Sequence, residues 1–357
     1  MKFTKPHFEA LDGLRGLAAI MIVVFHIYEI LSPELSNSPV AHGFLAVDFF
    51  FCLSGFVIGY AYDDRAAGPN GIKQFLINRL IRLQPLVILG TLFGLVALLL
   101  DPYLSQSAVA EFGWGKIALA TLCSILLIPS PILGRYDNVF PLNAPAWSLS
   151  MEYIISLVYA FVFVWLSKKW LTAFMVLSAI ALVGVAYYRG NILGGWSAQT
   201  YADGLARVCF SFSAGLLIFR FRLIINSRIP FIFLAALLLA LFMVPHFDGD
   251  WWLELLMVVL AFPLLLSLGA GVQVTGFIKK ISVWLGGLSY PLYMMHYWMV
   301  WILGGYAATN PPGENLYWVS FALFAAAIIL AYAVQKLLDE PVRKWLAARY
   351  GHLKSKV

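Results

Sequence analysis

Apolar residues run for about 17 to 25 positions at a time along this chain, the length a helix needs to cross a bilayer, with short polar connections between the runs. The runs fall near residues 11–31, 44–62, 80–100, 116–131, 148–167, 170–188, 204–221, 229–245, 251–270, 281–305 and 316–338. Lys and Arg concentrate in cytoplasmic connections of membrane proteins, and here they alternate along the chain. Lys2 and Lys5 precede the first run, and Arg65, Lys73, Arg79 and Arg82 follow the second. Lys168 and Lys169, then Arg220, Arg222 and Arg228, then Lys279 and Lys280, then Arg343, Lys344 and the tail continue the basic set. The intervening connections, 32–43, 101–115, 189–203, 245–251 and 306–315, carry few positive charges.

Between Arg82 and Lys168, both assigned inside, an even number of crossings is required, yet three runs occupy the interval. The weakest is "KIALATLCSILLIPSP" at 116–131, whose apolar part is short and ends in two prolines. A re-entrant or interfacial segment suits a run that short. The expectation is therefore an all-α integral membrane protein: one bundle of about ten transmembrane helices plus a re-entrant or interfacial segment near 116–131. Both termini fall on the cytoplasmic side, and residues 1–357 form a single membrane domain with no separate soluble domain. "NVFPLNAPAW" is placed on the outer side, folded back toward the membrane by its prolines. "GIKQFLINRLIRLQP", basic and partly apolar, suits the cytoplasmic interface.

Composition supports this. Of 357 residues 62% are hydrophobic and 12% charged, half the charged fraction of a typical soluble protein, and the mean hydropathy is +0.84. The net charge of +6 follows from basic inner loops and needs no nucleic acid. Cys52, Cys123 and Cys209 lie in apolar runs without Cys-x-x-Cys spacing, which argues against a disulfide framework or zinc site. No set of residues resembles metal ligands by spacing. The N-terminus lacks a signal-peptide cleavage site, so its first apolar run reads as retained.

Ionisable groups inside spans normally face a bundle interior or a wet cavity, and four constellations stand out. Arg15 and His26 lie eleven residues apart in the first run, within about 20° of one helix face and on the order of 16 Å apart along the axis. Asp12 stands three residues before Arg15, spaced for an ion pair. In "APAWSLSMEYI", Ser148 and Glu152 share a face one turn apart, beside Trp147. In "WLGGLSYPLYMMHYW", Ser289, Tyr293 and His296 form a stripe. In "NRLIRLQP", Arg79 and Arg82 offer guanidinium forks for phosphate. Each has a plainer alternative: snorkelling, interfacial aromatics, interhelical hydrogen bonding or basic flanking. No P-loop, Rossmann, His-Glu-x-x-His or nucleophile-elbow motif is present.

Together the segments "LDGLRGLAAIMIVVFH", "VDFFFCLSGFVI", "FLINRLIRLQP", "PAWSLSMEY", "LGGLSYPLYMMHYW" and "DEPVRKW" resemble, in order and nearly end to end, the acyltransferase-3 family of membrane acyltransferases. The resemblance implies ten membrane helices in a bacterial cytoplasmic membrane and transfer of an acyl group, acetyl foremost, from cytoplasmic acyl-CoA. The acceptor is a hydroxyl of a carbohydrate or glycolipid, or in some members of a macrolide or other secondary metabolite; partners are thus acyl-CoA, that acceptor and membrane lipids. It also implies roles. His26, Arg15, Glu152 and Asp12 are expected at the chemistry, His26 as general base or transient acyl carrier and Glu152 orienting the imidazole or moving its proton. Arg79, Arg82, Arg15 and Ser54 are expected at the acyl-CoA. Asp48, Trp147, Ser148, Ser289, Tyr293 and His296 are expected at the acceptor, and no metal is expected. Asp203, Asp248, Asp250, Trp251 and Trp252 are further outer groups suited to a sugar. One departure is Met295, where many relatives carry Trp. From the residues alone a proton-coupled transporter using His26 and Glu152 stays open, although no repeated halves are evident. A non-catalytic scaffold leaves the buried ionisable groups unexplained.

Overall fold

A segment in lipid has to satisfy its backbone internally, and the apolar runs do so as helices. The computed structural model describes residues 7–32, 34–66, 68, 70–310 and 313–351; Lys2, Lys5, the Arg65 side chain and the last six residues of the tail lie outside the description. The elements are α1 (Glu9–Leu31), α2 (Ala46–Ala66), α3 (Gly71–Leu99), α4 (Ala108–Ile125), α5 (Ala146–Phe161), α6 (Lys168–Arg189) and α7 (Tyr201–Arg220). They continue with α8 (Phe231–Phe242), α9 (Trp251–Leu256), α10 (Phe262–Gly271), α11 (Gly276–Met295), α12 (Tyr297–Thr309), α13 (Glu314–Val334) and α14 (Glu340–Tyr350). A π-helical turn joins α9 to α10 and another joins α13 to α14. Among the described residues there is no strand, only an isolated bridge between Asn138 and Ser197. The protein is an all-α integral membrane protein, and nine helices among the described residues are long and apolar enough to cross a bilayer.

Ion pairs mark the two ends of the bundle. At one end, called basic here, Lys279 at the start of α11 meets Glu9 at the start of α1 at 2.6 Å. There Arg220, at the end of α7, forks onto both oxygens of Asp63 at the end of α2 (2.9 and 2.7 Å) and donates to the Phe163 and Leu166 carbonyls. At the opposite end Arg135 pairs with Asp101 at 2.9 Å.

That last pair explains the segment near 116–131. Asp101 precedes α4 and Arg135 follows it, so both flanks sit at one end. The Ile125 carbonyl at the foot of α4 accepts from Gln84, halfway along α3. The helix enters, bends at Gly113 (φ 75°), stops at depth, and residues 126–134 return. Length and apolarity would let α4 cross, yet its connections make it one arm of a re-entrant hairpin. It begins eight residues earlier than the sequence suggested. With the short α8 and the interrupted α11–α12 pair counted beside the eight other long apolar helices, the described residues make ten passes besides the hairpin. "NVFPLNAPAW" turns inward as expected, burying Val139, Phe140 and Leu142.

Two crossings set the register. α1 lies along α11, and α2 along α7. A Cβ at Gly16 would overlap the Leu285 backbone, and one at Gly286 would press on Asp12. At the α2–α7 crossing a Cβ on Gly55 would overlap the Phe212 carbonyl, and one on Gly215 the Cys52 carbonyl. Small residues let backbones approach this closely, which supplies the van der Waals contact that associates helices in lipid.

Gly55→Ala is therefore expected to destabilise by about 1–3 kcal/mol through overpacking, seen as a lower unfolding temperature in detergent. Gly184→Ala, where a Cβ meets nothing within 4 Å, holds or raises that temperature. Equal effects at the two sites would remove close approach as the constraint.

Candidate active site

The shared face of Arg15 and His26 on α1 is turned toward α11. Arg15 donates through Nε to Ser289 Oγ (3.0 Å) and through Nη2 to the Gly286 carbonyl (2.7 Å), while Asp12 pairs with the same Nη2 at 2.9 Å. His7 reaches the other Asp12 oxygen at 3.1 Å. A guanidinium this deep has to be hydrogen-bonded, and the missing side chain at Gly286 lets Asp12 and Arg15 approach the carbonyl.

Arg15 opens on a chamber of about 590 Å³ at the basic end, lined also by Ser54, Arg79, Arg82, Glu152, Asp339 and Arg343. Arg79 pairs with Glu152, whose Oε1 also accepts from Ser54 at 2.8 Å. Arg343 pairs with Asp339 at 3.1 Å. Arg82 has no hydrogen-bond or ion-pair partner among the described residues, although it lines the chamber. Of the four arginines there, it alone makes no ion pair.

Toward the opposite end lies a second chamber of about 410 Å³. His26 lines it, with Nδ1 at 2.6 Å from Glu29 Oε2. The imidazole stacks on His296 at 5.4 Å between centroids and meets Tyr297 edge-on at 4.7 Å. His296 stands at the break between α11 and α12, its Nδ1 donating to the Leu292 carbonyl at 3.0 Å, and its buried Nε2 has no partner among the described residues. Trp147, Trp196, Trp301, Tyr136 and Tyr297 form most of the aromatic lining. Arg207 from α7 completes the wall. It forks onto Asp48 (3.2 and 2.6 Å), donates to the Gly194 carbonyl and lies 5.2 Å from the Trp147 ring centre.

Val47 and Tyr293 line both chambers. The Tyr293 hydroxyl meets Ser148 Oγ at 2.7 Å, and Ser148 donates to the Pro145 carbonyl at 2.9 Å. A partition of α2, α5 and α11 side chains thus separates a cationic chamber from an aromatic one.

The expected residues are divided between these chambers. Arg15 and His26 share a helix face but not a chamber. Glu152, expected beside the imidazole, stands instead with Arg79 and Ser54, and the carboxylate at His26 is Glu29. Asp48, expected at the acceptor, is fully buried and reaches the chamber only through Arg207. The stripe Ser289, Tyr293, His296 serves Arg15, the partition and His26 in turn. Asp203 pairs with Arg189 at 3.0 Å, and Asp250 joins two histidines at the far end. Sequence reasoning missed Glu29 and Arg207. The first had a signal three residues after His26, and the second is an arginine inside an apolar run.

With this geometry in view, residues 8–336 match the acyltransferase-3 sequence family, described as an acyltransferase domain. "Protein 2 in picA locus" of Rhizobium radiobacter is 33% identical over 159 residues, 43% of this chain and 81% of that protein. A Staphylococcus aureus (strain COL) protein provisionally named an O-acetyltransferase is 40% identical over 82 residues, 22% of this chain and only 12% of that longer protein. Acyltransferase MdmB of Streptomyces mycarofaciens is 27% identical over 158 residues, 42% of this chain and 38% of that one. No solved structure matches. The chain belongs to the acyltransferase-3 family and is a membrane acyltransferase, which sets the transporter and scaffold alternatives aside.

The Asp48–Arg207 pair, 0% and 1% exposed, yields a double-mutant test. Asp48→Leu alone strands a buried guanidinium and is expected to cost about 3–5 kcal/mol. Asp48→Leu with Arg207→Met is expected to recover most of that, measured as unfolding temperature in one detergent. A double variant as unstable as the single would show that the loss was packing, not charge.

Proposed function

We propose that this membrane acyltransferase takes an acyl group, acetyl foremost, from acyl-CoA in the arginine-lined chamber and delivers it to a hydroxyl of a carbohydrate or glycolipid in the aromatic chamber. The observation that carries the proposal is the pair of chambers meeting at Tyr293 and Val47, one cationic and the other aromatic with a histidine–carboxylate pair. A polyanionic donor suits the first, and a sugar ring, with apolar faces and hydroxyl edges, suits the second. The basic connections support a cytoplasmic basic end, so the donor enters from the cytoplasm of a bacterial inner membrane and the acceptor from outside.

In this scheme Arg82 takes a donor phosphate. Arg79 and Arg15, already held by Glu152 and Asp12, shape the wall and its potential. The donor's acyl end reaches the partition, and the Tyr293 and Ser148 hydroxyls stand where the thioester carbonyl approaches. His26 acts as general base. With the Nδ1 proton donated to Glu29, the other ring nitrogen is free to take the proton of the acceptor hydroxyl as its oxygen attacks the thioester carbon. The ester forms, the carbon–sulfur bond breaks, and the proton passes to the departing thiolate. Glu29 fixes the tautomer and stabilises the imidazolium, the role the sequence had suggested for Glu152.

His26→Gln is expected to lower transfer of labelled acetyl from acetyl-CoA by about 10²–10⁴-fold in protein that elutes as wild type. Arg82→Ala is expected to raise the KM for acetyl-CoA with little change in kcat, because it removes charge at the donor and not at the reacting atoms. Wild-type turnover in the His26 variant would overturn the assignment of the base. Comparing O-acylation of surface glycans and lipids in host cells with and without the protein, by NMR and mass spectrometry, tests the acceptor class.

A further inference from the structure

Outside both chambers, at the end of the bundle opposite the basic one, three residues from two connections converge. His42 lies in the α1–α2 connection, and His246 and Asp250 lie in the α8–α9 connection. One ligand-capable atom from each falls within 4.8 Å of the others. We propose that His42, His246 and Asp250 bind a divalent transition-metal ion of the zinc type.

The donor geometry carries the inference. His42 Nδ1 lies 2.9 Å from the Val244 carbonyl. A carbonyl only accepts, so this nitrogen carries the hydrogen, and Nε2 of the neutral ring presents a lone pair. That lone pair faces Asp250 Oδ2 at 3.2 Å, with both side chains fully buried. A cation, whether a proton or a metal ion, has to sit between two acceptors so placed, and a metal ion serves all three donors at once. The three donor atoms gather within 4.8 Å of one another, close enough that small side-chain movements bring them to the edges of a tetrahedron about a zinc ion, about 3.3 Å for bonds near 2.0 Å.

Two further observations agree. His246 Nδ1 and the Phe247 N–H approach the same Oδ2 at 2.7 and 3.3 Å, so a third nitrogen donor stands beside the carboxylate, its hydrogen bond the one that an entering metal ion replaces. Asp250 Oδ1 is buried with no partner among the described residues, a costly state for a carboxylate oxygen that a bound cation relieves. The His42 Nδ1–carbonyl bond is also the outer-shell contact that fixes a metal-ligating histidine. Two imidazoles and one carboxylate suit zinc better than calcium or magnesium, which take mostly oxygen ligands. His246 is the one partly exposed ligand, leaving a coordination position on the solvent side for water.

The ion would tie the α1–α2 connection to the α8–α9 connection. The first of these carries Phe44, whose ring lies 6.3 Å from that of His42 and lines the aromatic chamber. The same junction has a single backbone bond, from His42 N to the Phe242 carbonyl at 3.2 Å. Spacing along the sequence gave no hint, because His42 and Asp250 lie 208 residues apart.

The test uses the full-length protein, free of any histidine tag, stripped with chelator and dialysed against Zn²⁺ or Co²⁺. One metal ion per chain by elemental analysis is expected, and the Co²⁺ form should show the visible absorption of a tetrahedral site. His246→Ala should weaken binding by about tenfold or more and abolish the Zn²⁺-dependent rise in unfolding temperature, while its elution stays that of wild type. Asp250→Asn should do the same where it folds; His246→Ala, at the accessible edge, decides the matter otherwise. Substoichiometric metal in the wild type, or wild-type affinity in His246→Ala, overturns the proposal.

Discussion

The close approach of α1 to α11 is the constraint from which the rest of the structure follows. Lipid gives no hydration to a guanidinium, so Arg15 can sit at its depth only if a neighbouring backbone comes near enough to accept from it. Gly16 and Gly286 remove the side chains that would hold the helices apart, and the Gly286 carbonyl then accepts from Arg15. Once that contact is set, helical periodicity does the remaining work. The next turns of α11 bring Tyr293 to the partition and His296 to the face of His26.

The wider arrangement pairs the chamber arginines with acids but does so unevenly. Arg207 is answered by Asp48, Arg79 by Glu152, Arg343 by Asp339 and Arg15 by Asp12, while Arg82 faces its chamber without an acid of its own. Positive potential is thereby concentrated at one wall and withheld from the aromatic chamber, where Asp48 offsets Arg207. The re-entrant hairpin contributes to the second chamber by a different route. The segment that follows its return carries Tyr136 and Asn138 to the cavity wall, non-helical backbone that only a protein-lined environment tolerates.

Much of the fold could be read from residue order because depth and side are one-dimensional properties. Basic loops alternate along the chain, and the parity of crossings between Arg82 and Lys168 marked the re-entrant arm before its fold was seen. The Arg15–Asp12 pair was legible for the same reason, since spacing on one helix fixes which side chains share a face. What spacing leaves open is which neighbouring helix a face will meet. Spacing therefore suggests Glu152 for His26 although its partner is Arg79, and places Asp48 at the acceptor although Arg207, 159 residues away, buries it. Glu29 was overlooked for another reason. It lies near the end of α1, where an acidic residue is unremarkable in a sequence and becomes informative only once a histidine is found to contact it.

The contact between the Tyr293 and Ser148 hydroxyls has an electrostatic consequence. Two hollows that approach each other from the two ends of a membrane bundle leave only a thin floor between them. The floor is made of neutral hydroxyls and a valine, groups that offer ions no favourable resting place. At that point the low-dielectric barrier narrows from the thickness of a membrane to a few side chains.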